Sequence, residues 1–235
     1  MSITCYWDDI SVEPNQYPIL QDEEYIIRFC IHGCDLDCPG CPYQSYRGNR
    51  FSGSAAELLW LIAFASQSSS AMFVTGGEFL HWDYALPLLQ ALESLSTLKR
   101  IVVGTSGFHN MLPPLPGKTR LLWDLKGPSQ PCFDETLLTT SFTNLAPGDV
   151  LQFRISCGDD AEFAEIIVRE GICYKPDVRV LLRDYTEQNS KAHRIVKSLK
   201  RDYPGIVDIV PISVDSHCMH GGDSTYGLRR LFAAI

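Results

Sequence analysis

Tyr25-Ile-Ile-Arg-Phe-Cys-Ile31-His-Gly-Cys34-Asp-Leu-Asp-Cys38-Pro-Gly-Cys41 joins an apolar run to three closely spaced cysteines. The run over 24–31 reads as a strand, His32-Gly33 as a turn, and the cysteines, spaced C-x3-C-x2-C, as a loop leaving the end of that strand. Loops at strand ends are where α/β proteins place their chemistry. The number of thiolates limits what they can hold. A structural zinc wants four ligands, usually from two C-x2-C knuckles, and the loop has one. A cluster of four irons is complete with four thiolates. Three leave one iron open to a substrate or cofactor, as an open position does in a catalytic zinc site. Three ordinary cysteines in a reducing compartment are the plain alternative.

Outward from this loop the chain alternates apolar runs with helical periodicity. Strands are predicted at 24–31, 71–75, 100–104, 120–124, 150–155, 177–182 and 207–212, with a further short strand at 2–7. Helices are predicted at 54–67, with Ser52 or Ser54 as its cap, and at 82–95, 159–170 and 188–202. Ala71-Met-Phe-Val-Thr75 is apolar throughout, as a strand covered on both faces should be. Strands alternating with helices predict a parallel sheet with right-handed crossovers. Six or seven strands are short of the eight of a closed barrel. The expected fold is therefore α/β, a partial, open (β/α)6-type barrel with a mainly parallel sheet.

The 235 residues are 45% hydrophobic, enough for a sizeable core, and carry a formal net charge of −8. That balance argues against an extended nucleic-acid surface. No apolar run reaches the length of a membrane span, so no membrane partner is expected. The N-terminus has no basic region or signal core. With nine cysteines this suggests a reducing, cytoplasmic location.

A parallel sheet puts its strand C-termini on one rim. There stand the three cysteines, Thr75-Gly-Gly-Glu78, Thr105-Ser-Gly107, Asp124 with Lys126, Arg154 with Ser156, and Arg183-Asp184. Gly76-Gly77 lets backbone groups approach a ligand closely, with Glu78 fixing the turn or adding a charge. Alone this is a plain turn; after a buried strand, one β/α unit beyond the cysteines, it is informative. Asp124 and Lys126 read either as an ion pair on the rim or as ligand contacts; Arg154 and Ser156 are open in the same way. His217 and His220 flank Cys218-Met219 in a Gly- and Asp-rich tail and read as solvated. Cys30 reads as an ordinary buried thiol. Cys5, Cys132, Cys157 and Cys173 are scattered. Lys191, His193, Arg194, Lys197, Lys200 and Arg201 give the last helix a basic face, which is either simply solvated or a docking surface for an acidic electron donor.

Taken together these residues resemble the radical S-adenosylmethionine (SAM) superfamily, whose signatures are C-x3-C-x2-C after the first strand and Gly-Gly-Glu after the second. The resemblance spans roughly residues 24–212. It implies that Cys34, Cys38 and Cys41 bind three irons of a [4Fe–4S] cluster, and that the amino and carboxylate groups of SAM chelate the fourth. It implies reductive cleavage of SAM to methionine and a 5′-deoxyadenosyl radical that abstracts a hydrogen atom from a substrate. It implies that Thr75, Gly76, Gly77 and Glu78 meet the methionine end of SAM. Thr105, Ser106, Asp124, Lys126, Arg154 and Ser156 would then meet ribose, adenine or substrate, with Asp124 and Lys126 as substrate contacts. The chain would be one radical SAM domain over 1–235, with an extension at 1–22, the barrel at 23–212 and a tail at 213–235. A flavodoxin- or ferredoxin-like electron donor and a homodimer go with this reading.

Arg28-Phe, Gly33-Cys-Asp-Leu-Asp-Cys, Val74-Thr-Gly-Gly-Glu, Asp124-Leu-Lys-Gly-Pro-Ser129 and the run 148–164 look like 7-carboxy-7-deazaguanine synthases, which rearrange a pterin, a small molecule. Gly40 stands where that subfamily carries an aromatic. Phe79 stands where it carries Pro. Pro42-Tyr43 stands where it carries Asp-Thr, so the Thr that contacts a Mg²⁺ ion there is missing. Cys38-Pro-Gly-Cys41 looks instead like a glycyl-radical-enzyme activase, as do Thr105-Ser-Gly-Phe and Asp124-Leu-Lys; an activase acts on a protein glycine. Outside these readings stand an iron–sulfur electron-transfer or sensing module, which has no use for Gly-Gly-Glu, and a zinc domain, which needs a fourth ligand such as Cys30 or His32.

Overall fold

A computed structural model describes residues 4–20, 22–34, 51–107, 115–130, 133, 144–172, 177–188 and 190–210. These fall into two compact units, one of 4–104 with 115–120, the other of 105–107 with 121–210. Cys38, Cys41, Pro42, Tyr43, Cys132, Cys173, His217 and His220 lie outside the described residues.

The first unit holds β1 (Thr4–Pro14), β2 (Tyr25–Ile31), β3 (Phe51–Ser54), β4 (Ala71–Gly76) and β5 (Arg100–Thr105), in the order β3-β1-β2-β4-β5. β2, β4 and β5 are parallel neighbours, and β1 runs antiparallel to both β2 and β3. β4 opens with four buried residues, as its apolar run predicts. The 2–7 strand expectation is too short, and the link expected after it is strand as far as Pro14. Aspartates disfavour strands intrinsically, but here they have partners. Asp9 accepts from Ser11 Oγ (3.0 Å) and pairs with Arg28 (3.4 Å) on β2, and Asp8 meets His32 Nδ1 at 2.5 Å. A register shift between Trp7 and Asp9 accommodates this charged stretch.

β3 was not expected as a strand; Phe-Ser-Gly-Ser extends because it pairs with Thr4–Trp7 of β1. Ser54 then caps α1 (Ala55–Ala65). Its hydroxyl accepts the Glu57 amide at 3.2 Å while Glu57 accepts the Ser54 amide at 2.7 Å, a capping box. The helix expected at 82–95 is a 3-10 turn at Phe79–His81 and then α2 (Ala85–Glu93). Pro87 sets that start: its ring and missing N–H are tolerated only in a first turn. Nine strands stand among the described residues: the seven predicted for the sheet, β1 in place of the short strand expected at 2–7, and the unexpected β3.

The second unit holds β6 (Thr119–Leu125, its first two residues counted with the first unit), β7 (Val150–Ile155), β8 (Arg179–Asp184) and β9 (Val207–Val210), parallel and in that order. α3 (Gly158–Ile166) runs into a π turn at Ile167–Gly171, and α4 spans Lys191–Asp202. α4 is capped by Ser190 and buries Ala192, Val196 and Leu199, a one-face spacing. β8 sits two residues beyond its predicted span of 177–182. Trp123 is fully buried, and its indole N–H donates to Asp149 Oδ2 at 3.1 Å. Asp149 also accepts the amides of Leu121 (2.9 Å) and Ala146 (3.0 Å), tying the turn before β7 to β6. No helix among the described residues is long and apolar enough to cross a membrane.

Asp149→Ala would leave three donors without their acceptor, one of them on the fully buried Trp123. A loss on the order of 3 kcal/mol is expected in urea unfolding. Asp149→Asn, which keeps one acceptor oxygen, should lose clearly less.

Candidate active site

β2 and β4 are adjacent and parallel, with Cys30 beside Thr75 and Ile31 beside Gly76. Their chains therefore leave the sheet side by side, one as His32-Gly33-Cys34, the other as Gly77-Glu78. Gly33 and Gly76 take φ of +81° and +107°, a region that favours glycine. A Cβ on Gly76 would stand 2.5 Å from the Ile31 carbonyl oxygen and 3.2 Å from Cys30 Sγ. A Cβ on Gly77 would overlap the Gly33 carbonyl and come within 3.0 Å of Cys34 Cβ. Gly76-Gly77 is thus a close approach of two backbones, and it sets Cys34 against the Gly-Gly-Glu turn. Cys34 and Thr75 are half-buried; Glu78 is buried, at 3% exposure.

The neighbouring candidate ligands are engaged otherwise. Burial pushes the Cys30 thiol up to about 12, against the lowering field of Arg28, and its Sγ faces the Ile31 carbonyl. A metal ligand must be a thiolate. His32 is held by Asp8, as above, at the mouth of the cysteine loop. Asp8 and this dyad escaped the sequence reading, because the partners are 24 residues apart.

In the second unit Asp124 is a hub. Its Oδ2 lies 2.5 Å from Lys126 Nζ and 3.3 Å from an Arg154 terminal nitrogen, and its Oδ1 accepts from Gln152 Nε2 at 2.8 Å. Burial alone would raise its carboxyl. Arg154, Lys126 and the hydrogen bonds of Lys126 and Gln152 outweigh that and hold it well below the usual carboxylate range. Asp124 is therefore ionised, with both oxygens taken by protein groups, and acts by holding the two cations. Gln152 was overlooked although it lies two residues before Arg154 on the same strand face, a period-2 relation visible in the sequence.

In the sequence Asp160 stands out only as an acid in the first turn of the helix predicted at 159–170. It is 1% exposed and accepts from the Ser129 amide (3.0 Å), the Ser129 hydroxyl (2.6 Å) and the Ser156 amide (3.0 Å). A Cβ on Gly127 would press on its carboxylate. Asp160 thus joins the loop after Lys126 to the loop after Arg154, and Ser156 serves that joint through its backbone. Thr105 is buried, and its hydroxyl oxygen accepts the Gly107 amide at 3.2 Å, closing its own turn; Ser106 is half-buried. Much of the basic face of α4 is spent internally. Lys191 pairs with Glu162, His193 with Asp184 (2.7 Å), Lys200 with Asp208 (2.7 Å) and Arg201 with Asp202 (3.0 Å).

Gly77→Ala should destabilise the protein by at least about 2 kcal/mol and lower its iron uptake on anaerobic loading. Gly158→Ala, with open space where its Cβ would go, is the control expected to change little. A second expectation concerns pH. Because the folded Asp124 carboxyl lies below its ordinary value, its contribution is complete above the unfolded value of about 4 and is lost as pH falls through the folded one. The stability gap between the wild-type chain and Asp124→Asn, followed by urea unfolding from pH 7 to pH 3, should narrow below about pH 4. A gap that widens there contradicts the assignment.

No protein-family profile matches the chain, and no curated protein sequence does. Solved structures do. QueE from Escherichia coli, a 7-carboxy-7-deazaguanine synthase, superposes with a TM-score of 0.58 at 16% identity, over 88% of this chain and 93% of that one. SuiB from Streptococcus suis bound to S-adenosylmethionine gives 0.53 at 13% identity, over 81% of this chain and 47% of that one. SuiB bound to its precursor peptide SuiA gives 0.58 at 12% identity, over 83% and 50%, so the chain spans about half the length of SuiB. At such identities the likeness is one of fold. In fold the chain resembles the radical SAM enzymes QueE and SuiB: α/β, a partial, open (β/α)6-type barrel with a mainly parallel sheet.

Proposed function

We propose that the chain is a radical SAM enzyme, one domain throughout, resembling 7-carboxy-7-deazaguanine synthase and acting on a small molecule. The observation that carries this is the parallel register of β2 and β4, which sets Cys34 against Gly76-Gly77 and Glu78. The residues suit the groups implied. Cys34 is a half-buried thiol in no disulfide, and Cys38 and Cys41 follow it within seven residues of sequence. The zinc alternative is disfavoured at Cys30, whose thiol burial pushes up to about 12.

Cys34, Cys38 and Cys41 would hold the [4Fe–4S] cluster. Thr75, Gly76, Gly77 and Glu78 would meet the methionine end of SAM through backbone groups and a buried carboxylate. When bound, the cluster and SAM supply a 5′-deoxyadenosyl radical for hydrogen abstraction. The rest falls to the protein, which places the reacting atoms and keeps quenchers out. Lys126 and Arg154, held by Asp124, and the loops joined through Asp160 would do that placing on the substrate side, with Thr105, Ser106 and Ser156 lining it. A cytoplasmic setting with a flavodoxin- or ferredoxin-like electron donor goes with this chemistry. No Mg²⁺ is assigned, because Pro42-Tyr43 stands where the Thr that would take it is carried.

A second reading is that the substrate is a peptide or a protein glycine, as for a glycyl-radical-enzyme activase. It is favoured by Cys38-Pro-Gly-Cys41 and by the fold's likeness to SuiB, which has been solved with the peptide SuiA.

Anaerobic loading with iron and sulfide should give about four irons per chain. Dithionite and SAM should then yield 5′-deoxyadenosine, with cluster and product both lost in Cys34→Ala, Cys38→Ala and Cys41→Ala. An iron-loaded protein that makes no 5′-deoxyadenosine would leave an electron-transfer or sensing module. Ring contraction of 6-carboxytetrahydropterin would support the synthase reading; an active cluster that leaves it untouched would reject it.

A further inference from the structure

The sheet of the second unit carries an excess of positive charge on one face. Neighbours in register share a face, and side chains two apart along a strand return to it. Asp124 pairs with Gln152, and Arg154 with Arg183. One face therefore gathers Asp124, Gln152, Arg154 and Arg183, with Lys126 joined to it through its contact with Asp124; Arg179, four residues before Arg183, and Asp208, in register with Leu181, share that face and pair with each other. Lys126, Arg154, Arg179 and Arg183 thus stand against two carboxylates, Asp124 and Asp208.

Lys126 and Arg154 both use Asp124. Arg183 does not: it enters no ion pair among the described residues, and its buried Nε has no hydrogen-bond partner there. The acids nearest to it in the sheet are committed elsewhere. Asp184, on the opposite face, accepts from the Thr186 amide (2.9 Å) and hydroxyl (2.5 Å) and meets His193. Asp208 is taken by Lys200 and Arg179. A second buried group on the same face is also unfilled. Gln152 is 3% exposed, and its Oε1 has no partner among the described residues. The amide cannot turn to cure this, because its NH₂ must face the Asp124 carboxylate. A buried polar atom without a partner is costly, and an arginine and an amide oxygen left so on one face ask for a ligand.

We propose that Arg183 and Gln152 form an anion-recognition point. Arg183 takes a carboxylate or phosphate group of a small ligand, and Gln152 Oε1 accepts an N–H or O–H that the ligand carries beside it. The fork of the guanidinium suits such a planar or tetrahedral anion. Whether the ligand is SAM or the substrate rests on the radical SAM reading; the anion site itself does not. It favours an anionic small molecule over an uncharged glycine in a protein loop.

Calorimetric titration of the full chain at low salt with inorganic phosphate should show one saturable site. Binding should be about tenfold weaker in Arg183→Gln and intermediate in Arg183→Lys, which keeps the charge. Thermal melts of both variants establish that they are folded, and the lysine variant carries the test if the glutamine one is not. Parallel titrations with SAM and decarboxylated SAM identify the source. If Arg183→Gln erases a preference for SAM over its decarboxylated form, the carboxylate of SAM fills the site. If no such preference exists in the wild-type chain while phosphate binding still depends on Arg183, the anion belongs to the substrate. Phosphate binding that is absent, or equal in all three proteins, overturns the proposal. Failure to make 5′-deoxyadenosine would sink the enzyme reading and leave the phosphate result standing.

Discussion

The approach of the Gly77 backbone to the Gly33 carbonyl is the constraint on which the first unit's site depends. Two parallel strands end together, and their outgoing chains cannot diverge until they have passed each other at a separation that excludes a side chain. That contact places the first cysteine of the loop against the Gly-Gly-Glu turn, and it demands positive φ at Gly33 and Gly76. It also gives the paired glycines a packing reason in addition to any ligand they meet. The strand-end geometry and the ligand-facing backbone are the same feature, so a change at Gly77 acts on both.

Charge organises the second unit. Asp124 collects Lys126, Arg154 and Gln152, and low exposure makes those interactions worth more than they would be in water. Asp160 then fixes the two loops that follow Lys126 and Arg154 through three accepted hydrogen bonds. The result is a cationic surface on which, among the described residues, Arg183 has no ion pair and Gln152 Oε1 no hydrogen-bond partner. Elsewhere in the unit, acids and bases pair off, as on α4, where the basic face meets Glu162, Asp184, Asp208 and Asp202.

Much of this was legible in order along the chain. β2, β4, β5, β6 and β7 fall within a residue or two of their apolar runs, because a strand buried on both faces has to be apolar throughout. Ser54 and Glu57 announce the start of α1 three residues apart. What escaped was held together by distant partners. β1 keeps its aspartates only because Arg28 and His32 stand across from them, and β3 is a strand only because β1 is beside it. Asp160 looked like any acid in a first helical turn until two loops closed on it.

The sequence by itself determined the α/β class, the spacing of the cysteines and the rim positions where Gly-Gly-Glu, Asp124, Lys126 and Arg154 stand, since these follow from period, turn residues and strand direction. Only the tertiary structure decided what each of them does there. Gly76-Gly77 became an approach between two backbones, Asp124 an ionised hub with both oxygens engaged, and Arg183 a cation with no ion pair among the described residues. Pairing and burial are properties of neighbours brought together by the sheet, and residues separated by tens of positions carry no local signal of the partner they will meet.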